Sequence, residues 1–574
     1  MRDLRTSFHP HDVMTSTASL FPVTWDDPAD ASYFWMFERM HAPEPMTHAD
    51  AVAFECAFDH GVTFAAEVYG VPMRALTRRI NSYLYLALVP TNLPEARRKR
   101  GEDQLNSAIA RLSDLWDGEY LPEIKRHLQH WEGVDPAAST LRQVMDELED
   151  SLERTRRLYE IHFLIWFPFM VAISLFDDFY RDVIGRDSDF DAYRLLQGFR
   201  NKTLESGLAL WQLSRRALRV VSVRAVLEQE PAEAVIPALE LTSEGRVFVG
   251  LLRDYLETWG QRGDRWGWSF PSWIEDPTPV ISTLMDYVRQ PDRDLEAELA
   301  AKVAAREQLV AEARERLQDE PAEIAQRFEF LFDAAQKAIV LTEDHSHWID
   351  FRCMYHLHRI SLELGRRMSA AGVIDRPDDV FLLSPEELKE TVIQLPRLNR
   401  QAQIAARRAE MEYFRSVPVP PALGTPLSGE APTDPVNRAL FKFFGYLGAV
   451  PPTRAGDAVI RGSRGSPGKA RGVARIVLSL AEAGKLQPRD VLVVPTTAPP
   501  WTPLFAAAAA IVSDTGGILS HCAVVAREYG IPAVVGTGNA TALIRDGQLI
   551  EVDGDAGTVR LLQKEVGATV AAGN

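Results

Sequence analysis

The 574-residue chain predicts a multidomain fold: a large, mainly α-helical substrate-binding body over residues 1–415, a hinge over 416–455, a small α/β domain over 456–565 and a tail at 566–574. Three observations predict it. From about residue 47 to 410, apolar residues recur at three- and four-residue spacing, the period of helices that bury one face. Residues 416–435, SVPVPPALGTPLSGEAPTDP, have the Pro, Gly and Ser density of a linker. Beyond about residue 456, short apolar runs alternate with Gly, Asp or Pro turns, the pattern of strands.

Composition narrows the function classes. Lys and Arg total 63 against 80 Asp and Glu, a net charge of −17 spread along the chain. That balance disfavours nucleic acid or an anionic membrane as a partner. Three cysteines (Cys56, Cys353, Cys522) without CxxC spacing point to a reducing compartment rather than a disulfide framework. The first twenty residues carry no apolar leader, and the most apolar stretch, 161–176, is interrupted by His162 and Pro168. It reads as too short to span a bilayer. The expectation is a cytoplasmic protein.

In chain order, residues 30–40 read as a first helix, broken by His41-Ala42-Pro43. Residues 292–318 read as a solvated amphipathic helix, and 259–277, rich in Gly, Pro and Trp, as a structured loop. Most of the twelve tryptophans fall in the helical region. Core packing explains any one of them, while their density also suits a ring-binding cavity. A short helix at 436–447 follows the linker, then a break at Pro451-Pro452. Strands are expected at 473–478, 491–494, 508–512, 533–535 and 549–552.

The chemistry concentrates at Thr515-Gly516-Gly517-Ile518-Leu519-Ser520-His521. The glycines turn the chain after a strand and let an anion approach the backbone. Ser520 is a good N-cap, His521 falls in the first helical turn, and Gly530 and Pro532 end the helix. A phosphate on His521 would sit in the field of a helix N-terminus. Neutral imidazole attacks phosphorus, and the bond it forms passes the group on. Arg527 either neutralises charge there or pairs on the surface.

A second cluster lies at Glu343, His345, His347, Trp348, Asp350 and Arg352. On one continuous helix, Glu343, His347 and Asp350 share a face, and His345 and Arg352 share another. H-x-H on a helix splays the rings, so no metal is expected. His345 or His347 suits a general base for an acceptor hydroxyl, Arg352 would steady a transferring phosphoryl, and Glu343 or Asp350 would orient the base. An ion-paired helix surface is the alternative. His41 is a further candidate.

GGILSHCAVVAREYGIPAVVG resembles the phosphohistidine signature of the phosphoenolpyruvate-utilising enzymes: phosphoenolpyruvate synthase, pyruvate phosphate dikinase and rifampicin phosphotransferase. Residues 462–472, with Ser466-Pro467-Gly468, resemble the start of their swivelling domain. Asp546-Gly547 through Asp553-Gly554 and Gly557-Thr558-Val559 resemble its end. Residues 496–505, including Trp501, resemble the segment before the histidine loop. Cys522 stands where alanine is usual, a potentially oxidation-sensitive substitution. No ATP-grasp or TIM-barrel donor domain is recognisable. That layout, with the opening FPVTWDDPADASYFWMFERMHAPEP, resembles the acceptor-and-carrier subunit of phenylphosphate synthases and hydroxyphenylethanone dikinases. The resemblance implies a dikinase that splits ATP to AMP and phosphate, with phosphate held covalently on His521. It implies a separate ATP-grasp subunit binding ATP and Mg²⁺, and a small phenolic substrate whose site includes Glu343, Trp348, Asp350, His41 and Trp501. Thr515, Gly516, Gly517, Ser520 and Arg527 would hold the phosphate. A split rifampicin-type phosphotransferase and a regulatory phosphocarrier are the alternatives.

Overall fold

The aromatic run Phe34–Phe37 forms a strand rather than part of a first helix. The computed structural model describes residues 20–185, 190–263, 265–426, 434–445, 458–478, 480–497 and 501–562. Much of the expected hinge, including Pro451-Pro452, the tail, and Ala498-Pro499-Pro500 lie outside these residues. The chain divides into two units: Met1–Pro168 with Trp266–Pro271 and Trp348–Pro432, and Phe169–Arg265 with Ser272–His347 and Thr433–Asn574. The small α/β region near the C-terminus falls in the second unit.

The first unit contains a four-stranded antiparallel sheet: β1 (Phe34–Phe37), β2 (Met73–Ile80), β3 (Tyr83–Pro90) and β4 (Ala422–Gly424), in the order β2-β3-β1-β4. This corrects two expectations. Residues 30–40 form a short 3-10 turn (Pro28–Ser32) and then β1, because that aromatic run pairs on both sides, Met36 with Leu86 and Trp35 with Leu423. The linker-like segment contributes β4. The hairpin β2–β3 inside the mainly helical region turns on Asn81 and Ser82, whose φ values of 50° and 68° are those of a two-residue hairpin turn. Phe21, Trp35, Tyr83, Tyr85 and Phe414 form the core against this sheet.

The helices that carry the chemistry-bearing side chains are α1 (Leu141–Phe179), α2 (Lys202–Ala217), α3 (Ala322–Trp348), α4 (Asp350–Ala370), α5 (Pro435–Phe444) and α6 (His521–Tyr529). α1 runs through Pro168 and far beyond the stretch 161–176. With its continuation to Ile184 it is long and apolar enough to cross a membrane by length and composition, and most of its apolar window is buried inside the protein, as in a core helix. The expected helix at 292–318 is present as Leu295–Arg316, and the described residues of 260–277 are irregular as predicted.

The second unit contains an eight-stranded sheet: β5 (Val459–Arg461), β6 (Ser463–Ser466), β7 (Lys469–Ile476), β8 (Val491–Val494), β9 (Ala510–Ser513), β10 (Ala533–Val535), β11 (Leu549–Asp553) and β12 (Thr558–Leu561). The order is β5-β12-β11-β7-β8-β9-β10-β6, with β7, β8, β9 and β10 parallel. β8, β9 and β10 are buried at every position, as strands covered on both faces must be. One apolar cluster (Leu492, Val494, Phe505, Ile511, Ala523, Ala526, Val535) sets α6 on this sheet. The loop after β9, at the carboxyl ends of the parallel strands, is the one that carries His521, the usual place for a site in such a sheet.

Candidate active site

β9 delivers the chain into a braced turn. The Asp514 carboxylate accepts from the Thr541 amide at 3.1 Å and the Thr537 hydroxyl at 3.2 Å, and also takes the Thr541 hydroxyl. Thr515 donates its hydroxyl to Pro495 O at 3.3 Å, so this side chain anchors the loop. Gly516 has φ of 98°, and a Cβ there would lie 2.7 Å from Ser520 Oγ. Ser520 caps α6 by accepting from the Ala523 amide at 3.4 Å, and Gly530 ends the helix in the left-handed region at φ 65°. These local expectations hold.

Two amides of the loop are engaged by α5. Gly517 N donates to Phe443 O at 2.9 Å and Leu519 N donates to Lys442 O at 2.9 Å, both on the last turn of α5. The carbonyl end of α5 is satisfied by the loop and the loop by α5. A Cβ on Gly517 would lie 2.4 Å from Lys442 O and 2.6 Å from Gly445 N, so only glycine fits there. α5 is itself held by Lys442 Nζ, which pairs with Asp177 at 2.6 Å and Asp178 at 2.8 Å and donates to Ser174 O at 3.0 Å.

Arg527 is buried, and its guanidinium donates to Gly465 O at 2.7 Å and Ile518 O at 2.8 Å, with Tyr193 beneath it at 4.8 Å. Burial pulls its pKa down to about 10. Through Nη1, Arg527 straps the histidine loop to β6, and its burial sets aside the alternative of a surface ion pair. Trp501 is 6% exposed and belongs to the core under α6 rather than to a substrate wall. Cys522 is likewise buried, and burial pushes its thiol up to about 11, which makes it a poor nucleophile and corrects the expected sensitivity to oxidation.

His521 itself reaches α3. Its Nδ1 lies 3.0 Å from Glu343 Oε1, while Glu343 Oε2 accepts the Thr203 hydroxyl of α2 at 2.8 Å. The His521 side chain is 14% exposed and Glu343 4%. Burial is the largest influence on Glu343 and pushes its pKa up. The charge and hydrogen bond of His521, the Thr203 hydroxyl and the charge of His345 outweigh burial and hold the carboxyl below its ordinary value. An ionised Glu343 accepts, so Nδ1 carries a hydrogen in either charge state of the ring, and when the ring is neutral its lone pair is on Nε2. Thus Glu343 orients His521, a contact that α-helical spacing alone did not reveal.

His345 donates Nδ1 to Leu341 O of its own helix at 2.6 Å, which puts its lone pair on Nε2, and its ring packs on Phe169 at 5.2 Å. The His347 ring lies 5.5 Å from Trp259. Glu343, His345, His347 and the His521 loop therefore belong to the second unit. Trp348, Asp350, Arg352 and His41 belong to the first. The chain turns at Ile349, between α3 and α4, so the single continuous helix face expected for 343–352 does not exist. Arg352 stacks on Trp348 at 4.7 Å, with Lys125 on the same ring at 5.1 Å.

The first unit carries its own aromatic and histidine cluster. His41 Nδ1 lies 3.1 Å from both Glu38 carboxylate oxygens, and His162 Nδ1 lies 2.8 Å from Asp350 Oδ1. Trp266 packs on Phe54 at 4.1 Å, on His41 at 5.8 Å and on Tyr159 at 5.8 Å. Burial, the largest influence on His41, pulls its pKa down, but the charge and hydrogen bond of Glu38 and the charge of Asp350 together raise it.

Comparison with known proteins agrees with this architecture. Residues 486–557 match the family described as PEP-utilising enzyme, mobile domain, and residues 162–343 match the rifampicin phosphotransferase fourth domain. The chain is 40% identical over 557 residues to chondramide synthase cmdD of Chondromyces crocatus, covering 94% of this chain and 14% of that protein. It is 30% identical over 432 residues to the uncharacterised phosphotransferase YvkC of Bacillus subtilis, covering 74% of this chain and 50% of that one. It is 32% identical over 382 residues to the rifampicin phosphotransferase of Streptomyces sviceus, covering 63% of this chain and 40% of that one. The chain thus spans half or less of the length of each of these relatives.

Proposed function

Because the chain belongs to the PEP-utilising family related to rifampicin phosphotransferase, we propose that it carries a phosphoryl group on His521 and transfers it to the hydroxyl of a small acceptor. The observation that carries this reading is the His521 imidazole, held at the start of α6 by the buried Glu343 of α3, on the helix that also bears His345. Nε2 attacks the donor phosphorus, the donor P–O bond breaks, and the phosphoryl remains on nitrogen. The acceptor oxygen then attacks phosphorus, the P–N bond breaks with its electron pair returning to Nε2, and the hydroxyl proton goes to a base. His345 suits that base, since its Nδ1–H is spent on a backbone carbonyl and its lone pair lies on Nε2.

The donor in this reading is ATP with Mg²⁺ on an ATP-grasp partner subunit, giving AMP and phosphate, and the acceptor is a phenol. The protein would work in the cytoplasm. Mixing the chain with that partner, ATP, Mg²⁺ and a phenol should yield aryl phosphate and AMP. His521→Ala should abolish both, and aryl phosphate formed by that variant would refute the proposal.

The match of residues 162–343 to a rifampicin phosphotransferase domain favours a second reading, in which the acceptor is a macrocyclic antibiotic hydroxyl. A competition panel of simple phenols against ansamycins and macrolides separates the two. Discharge to neither, with transfer only to another protein, would mark a regulatory carrier.

A further inference from the structure

We propose that Glu343 is a positioning residue that makes the phosphoryl–nitrogen bond of His521 labile only while His521 is docked on α3. This inference rests on the reading that His521 carries the phosphoryl group.

The geometry is that of an orienting relay. The two Glu343 oxygens are divided between His521 Nδ1 at 3.0 Å and the Thr203 hydroxyl at 2.8 Å. The first turn of α2 is tied to α3 at two successive residues, since the Lys202 amide donates to Asp344 Oδ1 at 2.7 Å beside the Thr203 bond. A carboxylate with both oxygens engaged and almost no exposure has one orientation, and that orientation presents an acceptor to Nδ1.

The chemistry follows from where the proton sits. When phosphorus is bound to Nε2, a ring that also bears a hydrogen on Nδ1 is a phosphoimidazolium. Breaking its P–Nε2 bond returns the electron pair to Nε2 and releases neutral imidazole with Nδ1–H in place. If Nδ1 lacks the hydrogen, the same bond must expel an imidazolide anion, a far poorer leaving group. A carboxylate hydrogen-bonded to Nδ1–H stabilises the protonated, labile form. No proton is consumed: the acceptor's hydroxyl proton goes to the base, and the Nδ1 hydrogen stays on the ring.

Glu343 lies 178 residues before His521, on α3, and not on the sheet or loop that carries the histidine. The activating group therefore belongs to the helix on which the phosphohistidine docks. Off that helix, the Nδ1 proton loses its carboxylate, and the P–N bond becomes more resistant to water.

The full chain can be loaded with phosphoramidate, which transfers its phosphoryl to an imidazole nitrogen with loss of ammonia. Loss of phosphoryl from the peptide carrying His521 is then followed by mass spectrometry, with and without a phenol. Glu343→Gln keeps the shape and removes the charge. It should slow both losses roughly tenfold to a hundredfold, the factor expected for losing a charge-assisted hydrogen bond. Glu343→Asp should recover part of the rate. In the unphosphorylated chain, ¹⁵N NMR of labelled histidines, assigned by difference from His521→Ala, should show His521 as the Nδ1–H tautomer, and Glu343→Gln should erode it. A bare structural role would not move that signal. Equal decay in wild type and Glu343→Gln, or an Nε2–H tautomer in the wild type, would overturn the proposal, and the wild-type tautomer decides it even if the variants unfold. Decay that depends on Glu343 while no phenol accepts phosphoryl supports the inference and sinks the phenol reading. Transfer to phenol unchanged by Glu343→Gln does the reverse.

Discussion

Gly517→Ala should detach the histidine loop from the end of α5. The added Cβ would stand 2.4 Å from Lys442 O and 2.6 Å from Gly445 N, both backbone atoms that no side-chain rotation can clear. Relief requires separating the loop from α5, which breaks the bonds from Gly517 N to Phe443 O and from Leu519 N to Lys442 O, each 2.9 Å. Two such bonds contribute about 2 kcal/mol together. Residual overpacking adds about 1–3 kcal/mol, so the change costs about 3–5 kcal/mol. Gly530→Ala is the control. That residue, unlike Gly517, has a positive φ, 65°, but nothing lies within 4 Å of its Cβ, so only the left-handed penalty of about 1–2 kcal/mol applies. Amide exchange at Leu519 and the urea midpoint are the assays. Gly517→Ala should raise Leu519 exchange by at least about thirtyfold, the factor equivalent to about 2 kcal/mol, and Gly530→Ala should leave it near wild type. Equal Leu519 exchange in wild type and Gly517→Ala would refute the argument that α5 holds this loop.

Three further outcomes are expected. Arg527→Met should destabilise the second unit by about 3–5 kcal/mol, because it removes the Nη1 donor that serves both Gly465 O and Ile518 O; a urea series measures this, and an unchanged midpoint would contradict the strap. Cys522 should resist iodoacetamide at neutral pH in the folded chain, since its thiol is buried and pushed up to about 11; rapid labelling of its peptide would contradict the buried placement. His356, stacked on Trp131 at 5.1 Å, is pulled down to about 3, chiefly by burial. The unfolded chain therefore binds this proton first, so the stability is fully present above the ordinary histidine value of about 6.5 and is lost as pH falls toward 3. Between pH 6.5 and 5 that loss is about 2 kcal/mol, and His356→Phe should flatten this part of the urea-midpoint profile.

Local signals in the sequence were legible. Ser520, His521 and Gly530 mark a capped helix, and 491–494 and 533–535 coincide with β8 and β10. These features depend on neighbours in the chain, and propensity and capping act at that range. The misreadings depend on distant partners. Residues 34–37 become a strand because β3 and β4 lie on either side of it, and β4 comes from the linker-like segment. The β2–β3 hairpin is rich in Arg, Leu and Ala, good helix formers, and pairing overrides that preference. The site divides the same way. Its histidine announces itself by the residues around it. Glu343 and the α5 carbonyls have no sequence pattern that ties them to that histidine, and an expected helix face running on to Arg352 ends at Ile349. Arg527 carries its charge in the sequence, but only the fold shows that its donors go to two carbonyls.

The central claim is that His521 Nε2 holds the phosphoryl group in transit. Its most direct test is to charge the chain with its ATP-binding partner, ATP and Mg²⁺, then locate the phosphoryl group by peptide-resolved mass spectrometry under alkaline conditions and by ³¹P–¹⁵N NMR. The account predicts an acid-labile group on Nε2 of His521 that disappears when phenol is added, with aryl phosphate formed in equal amount. A phosphoryl group on any other residue, or aryl phosphate produced by His521→Ala, would contradict it.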